Sequence, residues 1–156
     1  MVEKSELIDN CGSEIYSFIC KHFEIKSKEI TTRTVRQLIT QVKHIELKFA
    51  VYIPWYYYIN PLWILNISGF NKKDRILKLM KENDGLLVHC ATCKQLYDID
   101  DYWLHFTCEV IKSGNSIKSI DPYRKKIFSD YPDVKTASID YNSLFEKGHI
   151  MIYLYR

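Results

Sequence analysis

Glycine and proline are scarce in this chain, five Gly and four Pro among 156 residues, and no stretch rich in Ser, Gly or Pro separates two regions. A flexible interdomain linker is therefore not expected, and one domain spanning 1–156 is. Disorder is excluded on composition as well, since 47% hydrophobic and 14% aromatic content is ample material for one core. No repeat at solenoid spacing recurs. A glycine-rich phosphate loop, a G-x-S-x-G elbow and an H-E-x-x-H pair are all missing, which removes the commonest nucleotide-binding, hydrolase and metalloprotease patterns. Charge of one sign is missing too: a net +3 permits contact with nucleic acid or an acidic surface without requiring it.

The segment Met1 to Asn10 carries Glu3, Lys4, Glu6 and Asp9 where a secretory signal needs an apolar run. The expectation is an intracellular protein, cytoplasmic or nuclear, whose five cysteines are reduced. Phe49 to Phe70 is uncharged and long enough to cross a bilayer, yet it contains Pro54, Asn60, Pro61, Asn66 and four tyrosines and is flanked by Lys48, Lys72 and Lys73. Its aromatic and β-branched richness predicts two buried strands over Glu46 to Ile67, joined near Asn60-Pro61, and no membrane contact.

Helical spacing of Leu7, Ile8, Ile15, Phe18, Ile19 and Phe23 predicts a first helix over Ser5 to Phe23, broken near Gly12. Thr31 or Thr32 caps a second, in which Val35, Leu38, Ile39 and Val42 form the apolar stripe and Arg33, Arg36 and Lys43 lie off it. A basic helix follows over Lys72 to Glu82, capped by Asn71, and then a strand over Leu86 to His89. Asp98, Asp100 and Asp101 suit the positive end of a helix running to about Lys112, which explains them better than an acid/base role does. A short helix near Tyr123 to Phe128, a loop at Pro132 and a closing strand His149 to Tyr155 complete an α+β class, with a helical pair in 1–45.

One constellation carries chemistry. Zinc favours four thiolate and imidazole ligands supplied as two close pairs, and the chain offers Cys90-x-x-Cys93, then eleven residues, then His105-x-x-Cys108. On the expected helix His105 and Cys108, three apart, face one side. A C-x-x-C alone arises easily, because cysteine is a common core residue. Concurrence adds weight: three of the five cysteines and one of the five histidines fall within nineteen residues. Residues 86–112 are thus expected to be a zinc finger embedded in the domain, with zinc as structural cofactor.

Over residues 85–110 the pattern resembles the broad C-x-x-C…H-x-x-C zinc-finger class. The second pair is similar to that of LIM-type fingers and the spacer to that of ubiquitin-binding and classical fingers. Gly85-x-x-Val88-x-Cys90-x-x-Cys93…Trp103-x-His105 faintly resembles the inhibitor-of-apoptosis repeat. The resemblance implies a zinc-stabilised subdomain and transfers no partner. A rival reading is enzymatic: strand, Cys90-Ala91-Thr92-Cys93-Lys94 and helix also resemble the thioredoxin arrangement, in which a helix N-terminus activates the first thiol. That reading leaves His105 and Cys108 without a role, so it ranks second.

His22, His44 and His149 are isolated in sequence and are expected to be surface or core residues, while Cys11 and Cys20 belong to the apolar side of the first helix. Ile30 to Ile39 loosely resembles the second helix of DEK C-terminal and other helix-turn-helix modules. The resemblance implies phosphate contacts for Arg33 and Arg36, extended by Lys43, Lys72, Lys73 and Arg75; a solvated charged face is the plainer alternative. The function expected is a non-catalytic, zinc-stabilised regulatory or adaptor protein. A protein partner ranks slightly ahead of nucleic acid.

Overall fold

The computed structural model describes residues 4–26, 31–54, 73–99, 104–112, 115–122, 129 and 141–156. Two helices lead: α1 (Lys4–His22) and α2 (Val35–His44). After them come β1 (Lys48–Tyr52), α3 (Lys73–Glu82), β2 (Leu86–Thr92), a short α4 (Cys93–Tyr97), β3 (Leu104–Lys112), β4 (Asn115–Ile120), α5 (Tyr141–Glu146) and β5 (Ile150–Tyr155). The five strands form one sheet in the order β1-β5-β2-β3-β4, with every neighbouring pair antiparallel. The class is α+β, as the mixed order of elements predicts.

Side chains alternate across a strand, so each strand feeds two faces. On one face Leu86, Val88, Cys90, Phe106, Cys108, Ile150, Ile152 and Leu154 meet the apolar sides of α1 and α2, including Ile15, Ile19, Leu38 and Val42. On the other face Ala50, Leu87, Met151 and Tyr153 pack with Ile76 and Met80 of α3 and Leu144 and Phe145 of α5. Ala91 joins Cys93, Leu96, Tyr97 and Ile99 around α4. Covering on both sides makes β2 buried through Ala91, which is why its sequence reads as a near-continuous apolar run.

α1 is continuous through Gly12, where a break is expected from sequence. A Cβ at that position would stand 2.4 Å from the Thr32 carbonyl oxygen, so the glycine serves close approach of the α2 lead-in. That lead-in is anchored by polar contacts: the Thr32 amide donates to Ser13 Oγ at 2.8 Å, the Thr32 hydroxyl donates to Gln41 Oε1, and Gln41 Nε2 donates to the Thr31 carbonyl at 3.3 Å. Thr32 therefore braces the loop, and the cap of α2 is Thr34, in a capping box with Gln37.

The helix expected from Asp98 to Lys112 is replaced by β3, which pairs with β2 from Leu104 to Val110. Alternation explains the change: Phe106 and Cys108 face the α1–α2 layer, while His105, Thr107 and Glu109 have the opposite parity and face the other way. Asp98 ends α4 in the left-handed conformation, φ 52°, instead of starting a helix. Asp100 and Asp101 lie outside the described residues, as do the expected helix over Tyr123 to Phe128, the Pro132 loop and the second strand of the Glu46 to Ile67 pair. The first strand of that pair is β1. Among the described residues no helix is long and apolar enough to cross a membrane.

Candidate functional site

The sheet splits each of the two pairs of the expected zinc site between its opposite sides. Cys90 and Cys108 belong to the core under α1 and α2. Cys93 opens α4 on the other side, in the cluster around Ala91, and His105, opposite Ala91 in the β2–β3 register, has the parity of that same side. Three residues apart on a helix means one face; three apart on a strand means opposite faces, so β3 itself separates His105 from Cys108. The four side chains are not brought together, and among the described residues no group of three or more His, Cys, Asp or Glu side chains is placed to hold a metal ion.

The thioredoxin-like reading meets the same geometry. Cys90 is an interior strand residue in a different packing cluster from Cys93, and burial holds its thiol well above the usual range, where a redox nucleophile needs it lowered. All five cysteines are buried as thiols. Desolvation raises Cys11 to about 11 and raises Cys20 and Cys108 as well. These are core positions.

What the sheet does bring together is a buried polar cluster that motif reading missed. His89 on β2 sits opposite Thr107 on β3, and the threonine hydroxyl lies 2.6 Å from His89 Nε2. His149, just before β5, stacks on His89 with ring centroids 5.4 Å apart, an interplanar angle of 23° and their Nδ1 atoms at 3.4 Å. Glu109 Oε1 lies 3.9 Å from His89 Nε2, beyond hydrogen-bond reach. Farther along, His105 Nε2 contacts Asp121 Oδ1 at 2.5 Å. Every one of the three rings is essentially inaccessible, with relative exposure of 1% or less.

Burial opposes the imidazolium form, bringing His89 down to about 3, with the neighbouring His149 and His105 adding to it. His149 falls to about 4 through burial and the nearby Lys147. His105 is likewise lowered by burial to about 4, and as a neutral ring it donates Nε2–H to Asp121 Oδ1. The two-residue alternation His105-x-Thr107-x-Glu109 is the signal from which this polar line could have been read, had β3 been recognised as a strand.

The basic candidates also divide. Arg36 and Lys43 are exposed on α2, and exposed Arg33 precedes its cap. The capping box fixes the backbone there: the Arg33 and Thr34 amides donate to Gln37 Oε1 at 2.7 and 3.2 Å, while the Gln37 amide donates to Thr34 Oγ1 at 3.1 Å. Val35, Leu38, Ile39 and Val42 point into the core. Lys43 reaches over the Phe49 ring at 5.7 Å, resting its stem on β1. Lys73 lies over Phe145 of α5 at 5.2 Å, and exposed Arg75 shares α3 with it, in the layer on the opposite side of the sheet. Lys72 lies outside the described residues. Arg33, Arg36 and Lys43 are thus one face, and Lys73 and Arg75 are another.

In comparison with known proteins, the chain matches no protein-family model, no curated protein and no solved structure.

Proposed function

We propose that this protein is a non-catalytic regulatory or adaptor module that engages an anionic partner through the exposed face of α2, with nucleic-acid phosphate as the first class to test. One observation carries the reading: Arg33 and Arg36 stand exposed at the N-terminal end of a helix that contains no acidic residue. The helix dipole is already positive at that end, so two cations there cost folding a few tenths of a kcal/mol up to about 1 kcal/mol each. The same placement favours a bound anion, because orphan backbone N–H groups, dipole and guanidinium groups act in one direction. Lys43, two turns along, extends the face. The burial of every thiol supports a binding role over thiol chemistry.

Binding of the protein to duplex DNA and to single-stranded RNA is expected to fall steeply with salt, because each neutralised phosphate releases condensed counterion. Arg33→Ala/Arg36→Ala should weaken binding across all sequences and flatten the salt slope by up to about two units, with the fold intact since neither residue is buried. Absence of salt-sensitive binding in the wild-type protein would overturn the nucleic-acid reading and leave an acidic protein surface as the partner class.

A further inference from the structure

We propose that His89 and His149 form an acid-sensitive lock on the seam between β2 and β5, closed while both rings are neutral and forced open when the pair takes up an additional proton. The geometry sets the rule. With the two Nδ1 atoms 3.4 Å apart, one N–H fits between the rings, donated by one and accepted by the other. A second proton at that point turns both nitrogens into donors facing each other, and places a charge in a site with no access to water.

The alternative protonation points give no relief. A proton on His89 Nε2 can be donated to the Thr107 hydroxyl, which lies 2.6 Å from Nε2 and 3.1 Å from Nδ1, but the charge that it brings stays without access to water. His149 Nε2 is buried with no hydrogen-bond partner among the described residues, so a proton added there stays unsolvated.

The charged and titratable groups that face the pair come from several elements. On β3, Glu109 Oε1 lies 3.9 Å from His89 Nε2, where its carboxylate favours a cation without hydrogen-bonding it, whereas His105, whose own proton goes to Asp121 after β4, disfavours one. Lys147, in the turn between α5 and β5, disfavours a cation on His149. That turn is tied to α4, because Gln95 Nε2 donates to the Lys147 carbonyl at 2.9 Å, and Gln95 is itself the capping-box partner of Thr92 at the end of β2. On α4, the Tyr97 ring lies 6.5 Å from His105. Opening the pair therefore loads the junction where α4, β2 and the start of β5 meet.

Linkage fixes the sign. Both imidazoles are lowered in the folded state, so the unfolded chain binds protons that the folded chain refuses. The stabilisation is complete above pH ~6.5, the ordinary histidine value, and is lost progressively as pH falls toward ~4. Between pH 6 and 5 the wild-type unfolding constant should rise about 60-fold more than that of His89→Gln/His149→Gln, because each unfolded histidine contributes a factor of roughly 8 over that interval. Contributions from titrating groups remote from the pair are common to both proteins and cancel in the comparison.

Denaturant titrations of the full chain at the two pH values test this, alongside NMR of the imidazole nitrogens of folded wild-type protein at pH 5.5. Neutral rings for His89 and His149 are expected. Equal pH dependence in the two proteins would overturn the proposal, as would rings that protonate near pH 6.5 while the chain stays folded. Should the double variant fail to fold, the wild-type ring signals decide alone.

Discussion

Gly85→Ala is expected to destabilise the fold by about 3 kcal/mol, one of the largest effects of any single methyl group in the chain. Gly85 leads into β2 beside the end of β5, and a Cβ there would stand 2.1 Å from the Leu154 carbonyl oxygen and 2.8 Å from the Tyr153 hydroxyl. The first of these is backbone in a paired strand, since Leu154 is in register with Leu86. Relief requires the central strands to part and the Tyr153 hydroxyl, which donates to the Asn83 carbonyl at 2.9 Å, to shift as well. In a domain of this size such a loss lowers Tm by roughly 6–12 °C. Thermal unfolding followed by circular dichroism checks it, and an unchanged midpoint would contradict the described approach of β2 and β5.

Leu38→Ala should cost about 3 kcal/mol, within the range of large-to-small core substitutions. Leu38 is completely buried in the cluster that joins α2 to the sheet, so its removal leaves a cavity between α2 and its support. Arg36→Ala, two residues earlier but exposed, should stay within about 0.5 kcal/mol of wild type. Denaturant midpoints of the two variants separate the faces of the helix: one determines whether α2 stays seated, and the other is dispensable for stability. Comparable losses in both would mean that Arg36 is structural.

The three longer helices were legible because they obey local rules, whereas the short α4 and α5 were not anticipated. The apolar spacing of Val35, Leu38, Ile39 and Val42 predicts α2, and all four are buried. The apolar spacing of Ile76, Leu77, Leu79 and Met80 within Lys72 to Glu82 predicts α3, although only Ile76 and Met80 are fully buried. The closing strand is found at Ile150–Tyr155, within one residue of the sequence expectation. The α2 cap was displaced to Thr34 because three threonines compete locally, and only Thr34 has Gln37 three residues on to close the box.

The candidate sites were harder to read, for a physical reason. Zinc-finger spacing is one-dimensional and presupposes local convergence, whereas pairing of β2 with β3 is set by contacts that sequence spacing does not encode. Once that pairing forms, Cys90 and Cys108 fall to the α1–α2 side and Cys93 and His105 to the other. His89 and His149, sixty residues apart and in ring contact, have no local signal at all. His149 was anticipated only as a surface or core residue, and it is a core residue.

α2 stands where both kinds of reading meet. Its position is fixed by apolar spacing, a capping box and the Thr32–Gln41–Ser13 contacts, so its cationic face is presented on a braced element instead of a loose loop. Preorganisation of this sort lowers the entropy lost on binding.

The most direct test of that face is a backbone amide NMR titration of the wild-type protein with a short duplex DNA at low salt. Shift changes are predicted to concentrate between Arg33 and His44, strongest at Arg33, Arg36, Thr40 and Lys43, and to vanish as salt is raised. Changes confined to α3 around Lys73 and Arg75, or no changes at any salt concentration, would contradict the assignment of α2 as a nucleic-acid contact surface.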